Sequence, residues 1–147
     1  MDNVVKILVV DDDPFALQAG KEMFKFAKQR KMTAGMPENL IVEVDCSSDA
    51  ASALSEFDIL KYDIVYTDYL MPYMRGDEFI IQLKARGYHG QAIIMSSATG
   101  PDISYHLHQL FDLYDDLRLI HKPLGFELFL SNIKRVLDGR GYGLLNE

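Results

Sequence analysis

The chain has a single cysteine, five prolines, and fewer cationic than anionic side chains: 15 Lys and Arg against 22 Asp and Glu in 147 residues. One thiol, Cys46, excludes an internal disulfide and suits a reducing compartment. No activating partner for it can be identified, so Cys46 reads as a small core residue. A net charge of −7 sets up a surface field that repels phosphate backbones and anionic lipid, which counts against nucleic acid and membrane as partners. No apolar stretch approaches the ~18 residues of a membrane span. The opening Met1-Asp2-Asn3 lacks the cationic start of a signal peptide, and the expected location is cytoplasmic. Internal repeats and low-complexity tracts are lacking too.

What is present is enough apolar material, 48% of residues, for one globular domain with its own core. Strand-like and helix-like segments alternate. Lys6 to Val10 reads as a first strand, and Pro14 suits the first turn of a helix to about Arg30, with Phe15, Ala19, Met23, Phe26 and Ala27 near one face. Gln29 to Asn39 is a longer polar connection; Lys28 just before it, with Arg30 and Lys31, reads as a solvated, dipole-complementing helix end. Ile41 to Val44 follows as a β-branched run, then a helix capped by Ser48 or Asp49 that reaches about Phe57. Ile64 to Thr67, a helix over about Asp77 to Arg86 closed by Gly87, and Ala92 to Met95 continue the series. A helix from Pro101-Asp102 to about Phe111, a fifth strand over Leu117 to Ile120, and a helix from Gly125 to about Asp138 complete it. Five β-α units in succession predict an α/β protein: a doubly wound five-stranded parallel sheet with helices on both faces. The domain is expected to span 1–138, with 139–147 a short tail that adds no output domain.

Four of the apolar runs end on residues able to handle a phosphoryl group: Asp11-Asp12-Asp13, Asp68, Ser96-Ser97, and His121-Lys122. In an open parallel sheet, ligands bind beyond the carboxyl ends of the strands, so these groups should converge. Neighbouring carboxylates at 4 Å repel by about 4 kcal/mol at an effective dielectric near 20. A bound cation relieves this, and an all-oxygen donor set selects Mg²⁺, or alternatively Mn²⁺, over zinc. Such an ion could also accept a phosphoryl oxygen while one carboxylate attacks phosphorus and a lysine offsets charge. Asp13 before Pro14 reads as a helix cap. The histidines at 106 and 108, two apart on a helix, would face different sides, and with His121 they read as surface or packing residues.

The segments Ile7-Leu8-Val9-Val10-Asp11-Asp12-Asp13-Pro14, Tyr62 to Pro72 with Gly76, Ile93-Ile94-Met95-Ser96-Ser97-Ala98 and Lys122-Pro123 resemble the receiver domain of two-component response regulators, in the right order and over nearly the whole chain. The resemblance implies a flavodoxin-like fold with strand order 2-1-3-4-5. It implies that Asp68 takes a phosphoryl group from the phosphohistidine of a sensor histidine kinase or phosphotransfer protein. By the same likeness Asp12 would bind Mg²⁺ directly, Asp11 through water, and Asp68 and the Leu70 backbone carbonyl would complete the protein ligands. Lys122 would pair with the acceptor, and Ser97 would move onto the phosphoryl oxygens to switch the surface for a downstream protein. The Lys122-Pro123 bond would be cis. Homodimerisation on phosphorylation is a further expectation of the family, as is slow self-dephosphorylation rather than turnover of external substrates. The expected readout face combines the helix predicted over 101–111, the fifth strand and the last helix.

Three features depart from the pattern. Leu119 stands where receivers carry the switching Tyr or Phe, the turn 114–118 lacks Gly-Ala, and the connection after the first helix is long. Leu70 and Thr99 occupy sites that in receivers modulate access of the hydrolytic water; an apolar Leu70 predicts a long-lived phosphoryl group. Two rival functions remain at this level. Val9 to Asp13 also fits a haloacid-dehalogenase-like phosphohydrolase with Asp11 as nucleophile and Asp13 as acid/base, and a degenerate receiver could act as a phosphorylation-independent interaction module.

Overall fold

The computed structural model describes residues 3–97, 107, 108, 110, 112, 114 and 116–143. Five parallel strands form one sheet in the order β2-β1-β3-β4-β5: β1 (Val4–Val10), β2 (Ile41–Ser47), β3 (Ile64–Asp68), β4 (Gln91–Ser96) and β5 (Arg118–His121). The central strand β3 is buried at every residue, whereas the edge strands β2 and β5 are partly exposed. This is the pattern expected when only interior strands are covered on both faces and both sides.

Period-two alternation divides the core between the sheet faces. Val5, Ile7 and Val9 of β1, with Ile64, Tyr66, Ile93 and Met95, pack under α1 (Pro14–Gln29) and α4 (Phe126–Gly139). Leu8, Val10, Val65, Ala92 and Ile94 face α2 (Ala50–Glu56) and α3 (Gly76–Ala85), together with Leu107, Leu110 and Leu117. Of the helix predicted over 101–111, residues 107, 108 and 110 are helical, as is 112 beyond it; residues 101–106, 109 and 111 lie outside the described residues.

Helix ends follow local chemistry. The Asp13 carboxylate accepts from Phe15 N at 3.0 Å and caps α1, with Pro14 in the first turn, and Asp49 accepts from Ser52 N at 2.8 Å to cap α2. Gly87 ends α3 at φ +86°, a left-handed position glycine takes without a Cβ clash.

The buried face of α1 corrects the sequence reading. Gly20, Met23 and Ala27 are buried, while Phe15 is 83% exposed, Phe26 is exposed and Ala19 faces solvent. At about 100° per residue, positions 20, 23 and 27 share a stripe from which 15, 19 and 26 are rotated away. Gly20 permits the close approach, since a Cβ there would sit 3.3 Å from Val9 Cγ2. Cys46 is half-buried beside this layer, and burial pushes its thiol pKa up, which disfavours the nucleophilic thiolate. No helix among the described residues is long and apolar enough to cross a membrane.

Candidate functional site

Because the strands are parallel and in register, their carboxyl ends open on one edge of the sheet. Asp11 and Asp12 follow β1, Asp68 ends β3, Ser97 follows β4, and Lys122 follows β5. Backbone hydrogen bonds tie these ends together: Asp11 N to Ser47 O at 3.0 Å, Tyr69 N to Met95 O at 2.9 Å, and Lys122 N to Ser96 O at 3.0 Å. Residues distant in sequence are thereby held by backbone, which a loop-borne site would lack.

One carboxylate oxygen from each of Asp11, Asp12 and Asp68 lies within 4.8 Å of the others. Asp11 is fully buried, Asp68 is 8% exposed and Asp12 faces solvent. The Lys122 ammonium stands 2.6 Å from Asp11 Oδ2 and 3.4 Å from Asp68 Oδ2. One positive charge therefore faces three acids. Burial and then the negative charge of Asp11 push the Asp68 carboxyl up to about 6, with Lys122 opposing. Burial lowers the Lys122 pKa, but hydrogen bonding and charge from Asp11 and Asp68 outweigh it and hold the ammonium above its usual range.

The donor set fits a hard divalent cation. Its side-chain donors are all carboxylate oxygens, and buried Asp11 Oδ2 has no well-aligned hydrogen-bond donor, only the ammonium beside it. Asp11 Oδ1 is committed to Asp13 N at 2.9 Å, which orients the carboxylate. Oxygen donors with uncompensated negative charge favour Mg²⁺ or Mn²⁺.

Gly76 explains why the loop after β3 can return so tightly. Its N–H donates to Tyr69 O at 2.7 Å, and a Cβ on it would overlap the Asp68 carbonyl oxygen. The loop exposes Leu70 (55%) and Tyr73 (97%), the latter at φ +71°. Lys122-Pro123 is cis. Ser97 is exposed immediately beyond β4, next to Lys122 by register, since Ser96 pairs with His121. Thr99 lies outside the described residues.

The sequence reading missed an apolar cavity of about 420 Å³ beside this cluster, lined by Val9, Phe15, Met95, Pro123 and Phe129 as well as Asp11 and Lys122. The available signal was the phase of Phe15, which is off the Gly20-Met23-Ala27 stripe of α1.

An open parallel α/β sheet with three acids and one lysine gathered at its carboxyl edge defines a doubly wound protein with an acidic cluster that could hold a metal ion. Residues 7–134 match the family described as the response regulator receiver domain, and the chain belongs to that family. Solved structures agree on the fold. The chain is similar to chemotaxis protein CheY4 of Vibrio cholerae, with 21% identity over 90% of this chain and 98% of that one and a TM-score of 0.64. A CheY-like receiver domain protein from Methanospirillum hungatei JF-1 shows 23% identity, 92% and 95% coverage and a TM-score of 0.66. The signal receiver domain of an HD domain-containing protein from Pseudomonas fluorescens Pf-5 reaches 0.70 at 16% identity, covering 97% and 98%. Among curated proteins, none matches. Membership of the receiver family places the chain in two-component signalling.

Proposed function

We propose that this protein is a Mg²⁺-dependent phosphoacceptor that receives a phosphoryl group on Asp68 and thereby changes its surface for a protein partner. The observation that carries the reading is the convergence of Asp11, Asp12 and Asp68 within 4.8 Å, with the Lys122 ammonium against two of them.

Of the three acids, Asp68 combines a strand-end position, a little solvent access and an exposed loop beyond it at Leu70. Its carboxylate oxygen attacks phosphorus of a phosphohistidine on a sensor kinase or phosphotransfer protein; the new O–P bond replaces the P–N bond, and the imidazole leaves. Asp11, Asp12, Asp68 and the Leu70 carbonyl would hold the cation, which when bound neutralises charge on the transferring oxygens. Lys122, 3.4 Å from Asp68, supplies a second positive charge. Asp11 orients that lysine, and Ser97, at the end of the neighbouring strand, would offer a hydroxyl to the phosphoryl oxygens. Leu70 gives the hydrolytic water no hydrogen-bonding partner, in keeping with a long-lived acyl phosphate and no turnover of external substrates.

The phosphohydrolase alternative fits less well. Asp11 has no exposed surface and lies against Lys122, and Asp13 is occupied in capping α1.

The test is intact mass after incubation with acetyl phosphate and Mg²⁺. One phosphoryl adduct is expected on the wild type and none on Asp68→Asn or in EDTA. An adduct dependent on Asp11 and rapidly turned over would reinstate the phosphohydrolase, and no adduct with bound Mg²⁺ would favour an interaction module.

A further inference from the structure

The cavity of about 420 Å³ beside the acidic cluster lies between α1 and the segment from Lys122 to Phe129. Val9, Met95 and Phe129 belong to its apolar lining, and its charged lining comes from Asp11, Asp13 and Lys122. A cavity of about 150 Å³ is enough to hold a benzene ring, and an apolar one stays dry. This one has room for an aromatic side chain.

Phe15 stands at the rim. It lines the cavity and is nevertheless 83% exposed, although a large apolar group gains from burial. Two hydrogen bonds fix its pivot: Asp13 N donates to Asp11 Oδ1 at 2.9 Å, and Phe15 N donates to Asp13 Oδ1 at 3.0 Å. The backbone of Phe15 is thereby tied, through one residue, to a carboxylate of the cluster. The side chain is less constrained. Inside a helix the preceding turn blocks one χ1 rotamer, and Phe15, the second residue of α1, has no such turn before it.

Two effects decide where the ring rests. Burial against Val9, Met95 and Phe129 favours the inward position whatever the charge nearby. Against it, a ring in place of water lowers the dielectric around three acids that face one ammonium, and their mutual repulsion grows. A divalent cation held by Asp11, Asp12 and Asp68 cancels the second effect and leaves the first. By linkage, the closed ring then strengthens the hold of those residues on the cation.

We propose that Phe15 is a lid, its ring turning into this cavity and closing the α1 side of the Asp11–Lys122 pair when a divalent cation occupies the acidic cluster. The lid rests on the reading of that cluster as a cation site. Phe15 is a positioning residue in this role, acting on the cation through the water it excludes.

The chain holds no tryptophan, so Phe15→Trp introduces a unique fluorescent reporter. With Mg²⁺ its emission should shift to the blue and its quenching by acrylamide should fall about twofold as the ring leaves water, while Tm of the same samples rises. Phe26→Trp, about 16 Å further along α1, should show neither change. Ala16→Leu, which fills the cavity from α1, should keep the indole in water without cancelling the rise in Tm. Phe15→Ala should weaken Mg²⁺ binding about fivefold in a calorimetric titration. A Tm that rises while emission and quenching stay fixed, an equal response from Phe26→Trp, a blue shift that survives Ala16→Leu, or unchanged Mg²⁺ affinity in Phe15→Ala would each overturn the lid alone. A Tm indifferent to Mg²⁺ would overturn the cation site, and the lid with it.

Discussion

Lys122 places its ammonium 2.6 Å from Oδ2 of Asp11, a carboxylate with no exposed surface, and so supplies the nearest counter-charge to a group that cannot reach water. Truncating one member of a buried pair leaves the other charge uncompensated, which typically costs 3–5 kcal/mol. Lys122→Ala should therefore lower the urea midpoint of the metal-free protein, by an amount corresponding to about 3 kcal/mol. Mg²⁺ should recover part of that loss, because a cation among the carboxylates replaces the missing charge. Equal losses with and without Mg²⁺ would show that packing, not charge, is what Lys122 contributes.

Mg²⁺ itself should stabilise the fold. A ligand bound only by the native state adds about 2.7 kcal/mol at a hundredfold excess over Kd. Calorimetric Tm should rise with Mg²⁺ in the wild type and scarcely move in Asp12→Ala, whose solvent-facing carboxylate is the one best placed to recruit the ion. A full response in Asp12→Ala would remove that residue from the ligand set.

Folding raises the Asp68 carboxyl from its ordinary 3.8 to about 6. Between those values the native protein binds more protons than the unfolded chain, so stability falls as pH rises through that window. Asp68→Asn abolishes the effect. In EDTA the variant should be more stable than wild type at pH 7.5, on the order of 1 kcal/mol after allowance for solvent screening, and the advantage should vanish near pH 4. Paired chemical denaturation curves at the two pH values measure it, and a pH-independent difference would contradict the charge explanation.

Gly76→Ala should be far more disruptive than an ordinary surface substitution. The new Cβ would overlap the Asp68 carbonyl oxygen and lie 3.0 Å from Tyr69 Cα, both backbone atoms unable to rotate away. Relief requires separating α3 from the end of β3, at a cost of about 1–3 kcal/mol or more, and it displaces Asp68. The readouts are a lower Tm together with a slower rate of acyl phosphate formation. Normal phosphorylation in a destabilised variant would show that the loop yields away from the acceptor.

How much of this was legible in the sequence depends on the range over which each feature is decided. The strand-end acids could be read because each sits next to its own apolar run, and a parallel sheet aligns those ends. Asp13 as a cap and Gly87 as a helix stop were equally local. Phe15 and Phe26 were misplaced because helical periodicity gives relative phase, and the face that wins is chosen by what fits against Val9, here Gly20. The ion pairs of Asp63 with Arg140 and of Asp116 with Lys84 were invisible, because each joins residues 77 or 32 positions apart.

The sequence by itself determined the alternation of strand and helix, the caps, and the identity of the groups delivered to the carboxyl edge, since all of these rest on nearest-neighbour chemistry and period. Only the tertiary structure decided that Asp11 is buried under Lys122 while Asp12 meets solvent, which face of α1 is covered, and which charges pair across the fold. Those outcomes depend on distances between residues up to 111 positions apart, from Asp11 to Lys122, and Coulomb energy and burial are fixed by distance in space rather than by order along the chain.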